Sequence, residues 1–151
     1  MYLLSGEKIT CGYGTVDILS NCNIGVYKGK ISSVVGPNGA GKSTAMKALF
    51  GLLPIKHGKV VFEGEDITNL PPQQRVLKGM GFVPQTKNIF PSLTVQENLE
   101  MGAFIDQNNI YEMLEYVYDL FPILKDKKNQ DAGELSGGQR QQVAVGRALM
   151  T

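Results

Sequence analysis

The sequence predicts an α/β fold over residues 1–85 and a helical region over residues 86–151. Three observations carry this. A run rich in β-branched residues, Ile31-Ser32-Ser33-Val34-Val35, is followed by a glycine-rich stretch from Gly36 to Thr44 and then by strong helix formers from Ala45 to Phe50. Further short apolar runs bounded by glycine and proline mark out the rest of the first half. After Gln85 the period changes, and Ile110, Leu114, Val117 and Phe121 recur at three- and four-residue steps.

Taken in order, Glu7 to Tyr13 reads as a first strand centred on Lys8-Ile9-Thr10-Cys11, ending at the turn residues Gly12 and Gly14. Asn23 to Tyr27 is a second strand, closed by Lys28-Gly29-Lys30, and Ile31 to Val35 a third, short and buried. Lys59 to Phe62 follows as a strand ended by Glu63-Gly64. Pro72 suits the first turn of a short helix through Leu77, and Gly81-Phe82-Val83 is a further short strand. In the second half Thr94 has Glu97 three residues on, the spacing of a capping box, which starts a helix running through Phe104. The amphipathic helix from Ile110 stops near Pro122, and its Tyr111, Tyr116 and Tyr118 are expected to pack. Lys125 to Asp131 is a solvated loop, and a last helix runs from about Ser136 to Met150.

Bulk composition narrows the function. The chain has 151 residues, 42% hydrophobic and 19% charged, which suits an ordered core. Fifteen basic against fourteen acidic residues leave a net charge of +1, so no nucleic-acid footprint is expected. No apolar run could span a bilayer, and the first ten residues lack a signal peptide's pattern, so a cytoplasmic protein is expected. Cys11 and Cys22 have no metal-ligand spacing and read as small buried or half-buried residues. His57 reads as a solvated turn residue.

Gly36-Pro37-Asn38-Gly39-Ala40-Gly41-Lys42-Ser43-Thr44 fits the pattern G-x-x-x-x-G-K-[ST] at every specified position. Glycines let such a loop fold back so that backbone N–H groups converge at a helix N-terminus, where the dipole favours an anion. Lys42 would reach the β- and γ-phosphates, and the Ser43 hydroxyl would take one Mg²⁺ position. The loop is expected to bind a nucleoside triphosphate.

Leu135-Ser136-Gly137-Gly138-Gln139 opens the last helix. In this order the two motifs resemble the nucleotide-binding domain of ABC transporters, and the resemblance covers essentially the whole chain. It implies a P-loop NTPase fold, with a RecA-like core and N-terminal strands over 1–85 and an α-helical subdomain with the signature helix over 86–151. It implies ATP and Mg²⁺ as cofactors. Tyr13 matches the aromatic that stacks on adenine. Gln85 matches the glutamine that joins the two halves, touches Mg²⁺ and the attacking water, and senses the γ-phosphate. Ser136, Gly137 and Gly138 match the signature, which contacts nucleotide held by a second subunit. The resemblance therefore implies a head-to-tail dimer of ATPase subunits. The stretches Gly64 to Pro72 and Val83 to Leu99 look most like branched-chain amino-acid importers. Thr86 to Phe104 is expected to dock a membrane-embedded permease, holding the protein on the inner face of the membrane.

The sequence departs from that pattern in two places. It ends at Ala148-Leu149-Met150-Thr151, whereas the family continues into an apolar strand ending in Asp-Glu and later a switch histidine. The expectation is the N-terminal part of a longer protein, with an incomplete central sheet, weak nucleotide binding and little or no turnover. Gly146 stands where the family usually has Ala, at a cost of up to about 1 kcal/mol in helix propensity. Two rival readings stay open: a nucleotide-binding, dimerising fragment without hydrolysis, and a soluble ABC ATPase that serves no transporter.

Overall fold

Alternation along the first 27 residues is broken at Lys8 and Asn21, which both take left-handed backbone at φ 51. The breaks are bulges in one long hairpin. Strand β1 (Tyr2–Tyr13) pairs antiparallel with β2 (Val16–Tyr27), and the register shifts between Gly6 and Ile9 and again before Cys11. Each bulge moves the side-chain alternation by one residue, which is why a strict period-two reading finds only a fragment of each strand. Asn23 Oδ1 accepts from the Lys8 N–H at 2.9 Å, and Thr10 Oγ1 accepts from the Asn21 N–H at 3.1 Å, so the bulged amides stay paired.

A computed structural model describes all of residues 1–151 and divides them into two compact units, Met1–Met80 and Gly81–Thr151. In the first unit, helix α1 (Lys42–Phe50) is followed by strand β3 (His57–Phe62), a two-residue strand β4 (Glu65–Asp66) and helix α2 (Pro72–Leu77). The sheet order is β2-β1-β3-β4, antiparallel throughout. Glu63 and Gly64, both at positive φ (49 and 83), make the tight β3–β4 turn. His57 opens β3 opposite Thr10 and is exposed, so it belongs to a strand and not to a turn.

One apolar core holds this unit together. Ile9, Cys11 and Leu19 from the hairpin meet Ala45, Ala48 and Leu49 of α1, with Val60, Ile67 and Met80. Ile9, Val60 and Ile67 are wholly buried, and such side chains each contribute about 1.5–3 kcal/mol. Among them sits a cation. Arg75 of α2 is 1% exposed, and its guanidinium donates to Leu49 O at 2.7 Å, Leu70 O at 2.8 Å and Thr68 O at 2.9 Å. Burial lowers its pKa, and the carbonyls at the C-terminal end of α1 offset that burial. Gly51, the C-cap at φ 84, is needed there because a Cβ would fall 2.8 Å from Arg75 Nε.

Two expected strands do not form. Ile31 to Val35 pairs with no neighbour, and Ile31 and Val35 are 99% and 90% exposed. Gly81 to Val83 is likewise without a ladder. A strand exists only with a partner for its N–H and C=O groups. No strand of this chain lies alongside either segment, so the two stretches stay irregular and the parallel sheet that the resemblance implies does not form.

The second unit is helical: α3 (Val95–Glu100) with a 3₁₀ turn to Ala103, α4 (Ile110–Leu120), α5 (Pro122–Asp126) and α6 (Gly137–Leu149). Thr94 caps α3 through the full capping box with Glu97. Pro122 stops α4 and starts α5 at its first turn, so part of the expected loop is helical and Leu124 is wholly buried. Val95, Leu99, Leu114, Val117, Leu124, Val143 and Met150 share the core. Of the three α4 tyrosines only Tyr118 packs; Tyr111 and Tyr116 are 82% and 55% exposed, off the apolar stripe. Gly146 has a packing reason: a Cβ there would fall 2.8 Å from both Leu99 Cδ2 and Val117 Cγ1. The helices approach closely because that side chain is missing.

Candidate functional site

The first group of site residues is built by two left-handed glycines. Gly39 and Gly41 take φ 85 and 95, conformations that cost other residues about 1–2 kcal/mol. Between them the chain folds back, with the Ala40 N–H donating to Pro37 O at 3.2 Å. Gly41 is tighter still, since a Cβ would lie 2.7 Å from Leu19 Cδ2. Gly39 has open space on its side-chain side, and Gly36, Pro37, Asn38, Gly39 and Ala40 are all exposed.

Gly41 is the N-cap of α1 and supplies no side-chain acceptor. The first-turn N–H groups of Lys42, Ser43 and Thr44 have no acceptor within the helix. Lys42 Nζ donates to Gly36 O at 2.6 Å and Pro37 O at 2.8 Å, so the ammonium closes the loop. Uncapped donors, the helix dipole and a fixed cation therefore share one exposed loop, a chemistry suited to a polyphosphate. The Ser43 hydroxyl is exposed on the first turn, while Thr44 is buried at 7% and serves packing. No three His, Cys, Asp or Glu side chains gather to hold a metal ion. A Mg²⁺ at Ser43 would draw most of its remaining ligands from phosphate and water, which suits that ion. Tyr13, at the end of β1, is 52% exposed and offers a ring face for stacking.

The second group lies in the helical unit. Ser136 caps α6: its Oγ accepts from the Gln139 N–H at 3.3 Å, and Gln139 Oε1 accepts from the Ser136 N–H at 3.2 Å. Gly137 and Gly138 are exposed, with open space where a Cβ would stand. Leu135 is 3% exposed and belongs to the core, so it anchors the turn. Arg140 fixes the approach to the helix by donating to Leu135 O at 3.0 Å and Gly133 O at 2.6 Å. Gln85 is exposed and lies in an irregular stretch that runs from Gly81 to Leu93.

Residues that hold that stretch escape a motif reading. Asn98 is wholly buried; its Oδ1 accepts from the Phe90 N–H at 2.7 Å and its Nδ2 donates to Phe90 O and Thr94 O, each at 2.9 Å. Asn88 and Arg147 contact the same stretch from other sides. Asn88 reads as a turn former in a loop, and Asn98 and Arg147 as ordinary helix residues; only the fold shows them as fasteners.

The ABC transporter family model matches residues 19–151. The probable branched-chain amino acid transport ATP-binding protein LivF of Archaeoglobus fulgidus is 40% identical over 98% of this chain and 63% of its own length. The high-affinity branched-chain amino acid transport ATP-binding protein BraG of Pseudomonas aeruginosa is 39% identical over 99% of this chain and 64% of its own length. The chain thus spans a little under two thirds of these relatives. Among solved structures, a nucleotide-free ATP-binding cassette from an ABC transporter superposes with a TM-score of 0.84 at 35% identity, covering 99% of this chain and 65% of that one.

Proposed function

Because the chain belongs to the ABC transporter family, as its match to the family model over residues 19–151 establishes, we propose that it is the nucleotide-binding part of an ATPase subunit that couples ATP binding and hydrolysis to solute import. The observation that carries this reading is the bare, glycine-bounded start of α1 with the Lys42 ammonium inside its loop. Gly39, Ala40, Gly41 and the first turn of α1 would cradle the phosphates, and Lys42 would neutralise their charge. Tyr13 would stack on the base. Ser43 and Gln85 would hold Mg²⁺, which supplies charge neutralisation as the phosphoryl group transfers. Ser136, Gly137 and Gly138 would meet nucleotide bound by a second ATPase subunit in a head-to-tail pair.

Branched-chain amino acids are the proposed solutes, on the strength of the two relatives' names. Thr86 to Phe104 would dock the permease; Met101 and Phe104 within it are 53% and 66% exposed, as a contact surface requires. The protein would then sit on the cytoplasmic face of a membrane through that partner, and no helix of its own is long and apolar enough to cross one.

The test is equilibrium binding of radiolabelled MgATP to the chain and to Lys42→Ala. Saturable binding that weakens at least tenfold in the variant is expected. Binding that Lys42→Ala leaves unchanged would place the nucleotide elsewhere and overturn the reading.

A further inference from the structure

Gln85 and Ser136 are candidate nucleotide contacts fifty-one residues apart, yet the fold joins their neighbourhoods through side chains. Asn88 is half-buried, and its Nδ2 donates both to Pro84 O, the carbonyl before Gln85, at 3.2 Å and to Gln141 Oε1 at 3.0 Å. Gln141 lies one turn into α6, on the helix that Ser136 caps. Two residues beyond Asn88, the Phe90 ring lies under the Arg147 guanidinium at 5.0 Å to its centroid, and Arg147 is also on α6. Arg147 has no carboxylate partner and is half-buried, and partial removal of water from its guanidinium strengthens the attraction to the ring face.

From the opposite side, Asn98 of α3 grips the Phe90 peptide by both its N–H and its C=O. Phe90 is therefore held by its backbone from α3 and by its ring from α6. The stretch 85–90 has no ladder of its own, so these bonds set its position. A helix transmits displacement along its axis with little deformation, so whatever shifts Gln141 and Arg147 shifts the capped start at Ser136.

We propose that Asn88 and Arg147 are positioning residues that fasten the Gln85 loop to α6, so that the loop and the helix start at Ser136 shift as one piece. The consequence for activity rests on the reading of Gln85 and Ser136 as nucleotide contacts: γ-phosphate at one would then alter presentation of the other. The fastening itself does not depend on that reading.

Amide hydrogen exchange on the nucleotide-free chain tests the fastening. Gln141→Leu combined with Arg147→Met is expected to speed exchange of the Phe90 N–H, which the Asn98 side chain holds, at least tenfold, with a smaller rise at the Ser136 and Gln139 N–H groups of the cap. Gln141→Glu keeps an acceptor for Asn88 and is expected to stay within twofold of the parent. A double variant that unfolds would be replaced by its single variants, read against the same rescue. A stably folded variant with unchanged exchange at the Phe90 N–H, or Gln141→Glu as damaging as Gln141→Leu, would overturn the proposal. A second readout uses the absence of tryptophan from the chain. In a Phe90→Trp background the single indole reports on the stack, and Arg147→Met is expected to raise its mobility and shift its emission to the red. An emission unchanged by Arg147→Met would count against the stack. Adding MgATP extends the test: protection at 85–92 and at 136–139 should rise together in the parent and separately in the double variant. Absence of any protection at Gly36 to Thr44 would defeat the nucleotide reading alone, because the nucleotide-free comparison still decides the fastening.

Discussion

Helices α1 and α6 begin alike and are finished differently. Both starts carry glycines, but α1 starts at Gly41 with no side-chain cap, while Ser136 and Gln139 close the start of α6 with a reciprocal capping box. The bare start keeps its N–H groups for an external anion and depends on Lys42 to hold the loop's shape. The capped start is stable alone, leaving only the Ser136 hydroxyl proton and the N–H groups of two glycines to offer. On the proposed reading, one helix start is completed by its ligand and the other is presented to one. The support behind each differs too: a buried arginine ties down the far end of α1, whereas α6 is held along its length by the apolar core of its unit.

The largest expected effect comes from removing that arginine. Arg75→Ala leaves the carbonyls of Leu49, Thr68 and Leu70 without their charged donor and opens a cavity, at a cost of about 3 kcal/mol. A urea titration measures it, and a loss below about 1 kcal/mol would mean that water replaces the guanidinium at those carbonyls. Next comes the start of α1 itself. Gly41→Ala forces a non-glycine residue to φ 95 and drives a methyl toward Leu19, for about 2–3 kcal/mol. MgATP binding should fall with it, and retained binding at parental affinity would show that the loop needs no left-handed residue there. Ser136→Ala, the matching change on α6, removes one cap bond and should cost only about 1 kcal/mol. If it cost as much as Gly41→Ala, the contrast between a ligand-completed start and a self-capped one would fail.

The same contrast explains how much could be read from the residues. The phosphate-loop pattern and the signature are local: their glycines and capping residues specify a turn and a helix start whatever surrounds them, and the Thr94 box is legible for the same reason. Ile31 to Val35 is not local. Its composition suits a buried strand, but burial and pairing come from neighbouring strands, and the structure leaves it exposed. Lys8 and Asn21 hide the length of the first hairpin, because a bulge erases the alternation that marks a strand. Gly146 looks like a weak point by helix propensity, and only the closeness of Leu99 and Val117 shows why a methyl does not belong there. Asn88 and Arg147 are invisible to a motif reading because Gln141 and Phe90, which they touch, are distant in sequence, and Asn98 because it reaches out of its helix to the Phe90 peptide.

The smallest expected effect probes the support behind α6 and has the opposite sign. Tyr118 packs into the helical core, yet its hydroxyl is buried without a hydrogen-bond partner. Removing an unsatisfied group without changing the ring's shape should stabilise, so Tyr118→Phe is expected to gain about 0.5–1 kcal/mol at pH 7. Burial raises the phenol's pKa, with the charges of Glu100 and Glu115 adding to it. Below about pH 10 the phenol is neutral in both folded and unfolded chains, and its titration contributes no difference. As pH rises past that value the unfolded chain releases the proton first, which favours unfolding of the parent and leaves the Phe variant untouched. The advantage of Tyr118→Phe should therefore widen above about pH 10, read as the gap between urea midpoints at neutral and alkaline pH. A gap that stays constant, or a Phe variant less stable than the parent, would mean that the hydroxyl has found water or a partner. The core behind α6 would then be less closed to solvent than the rest of its packing requires.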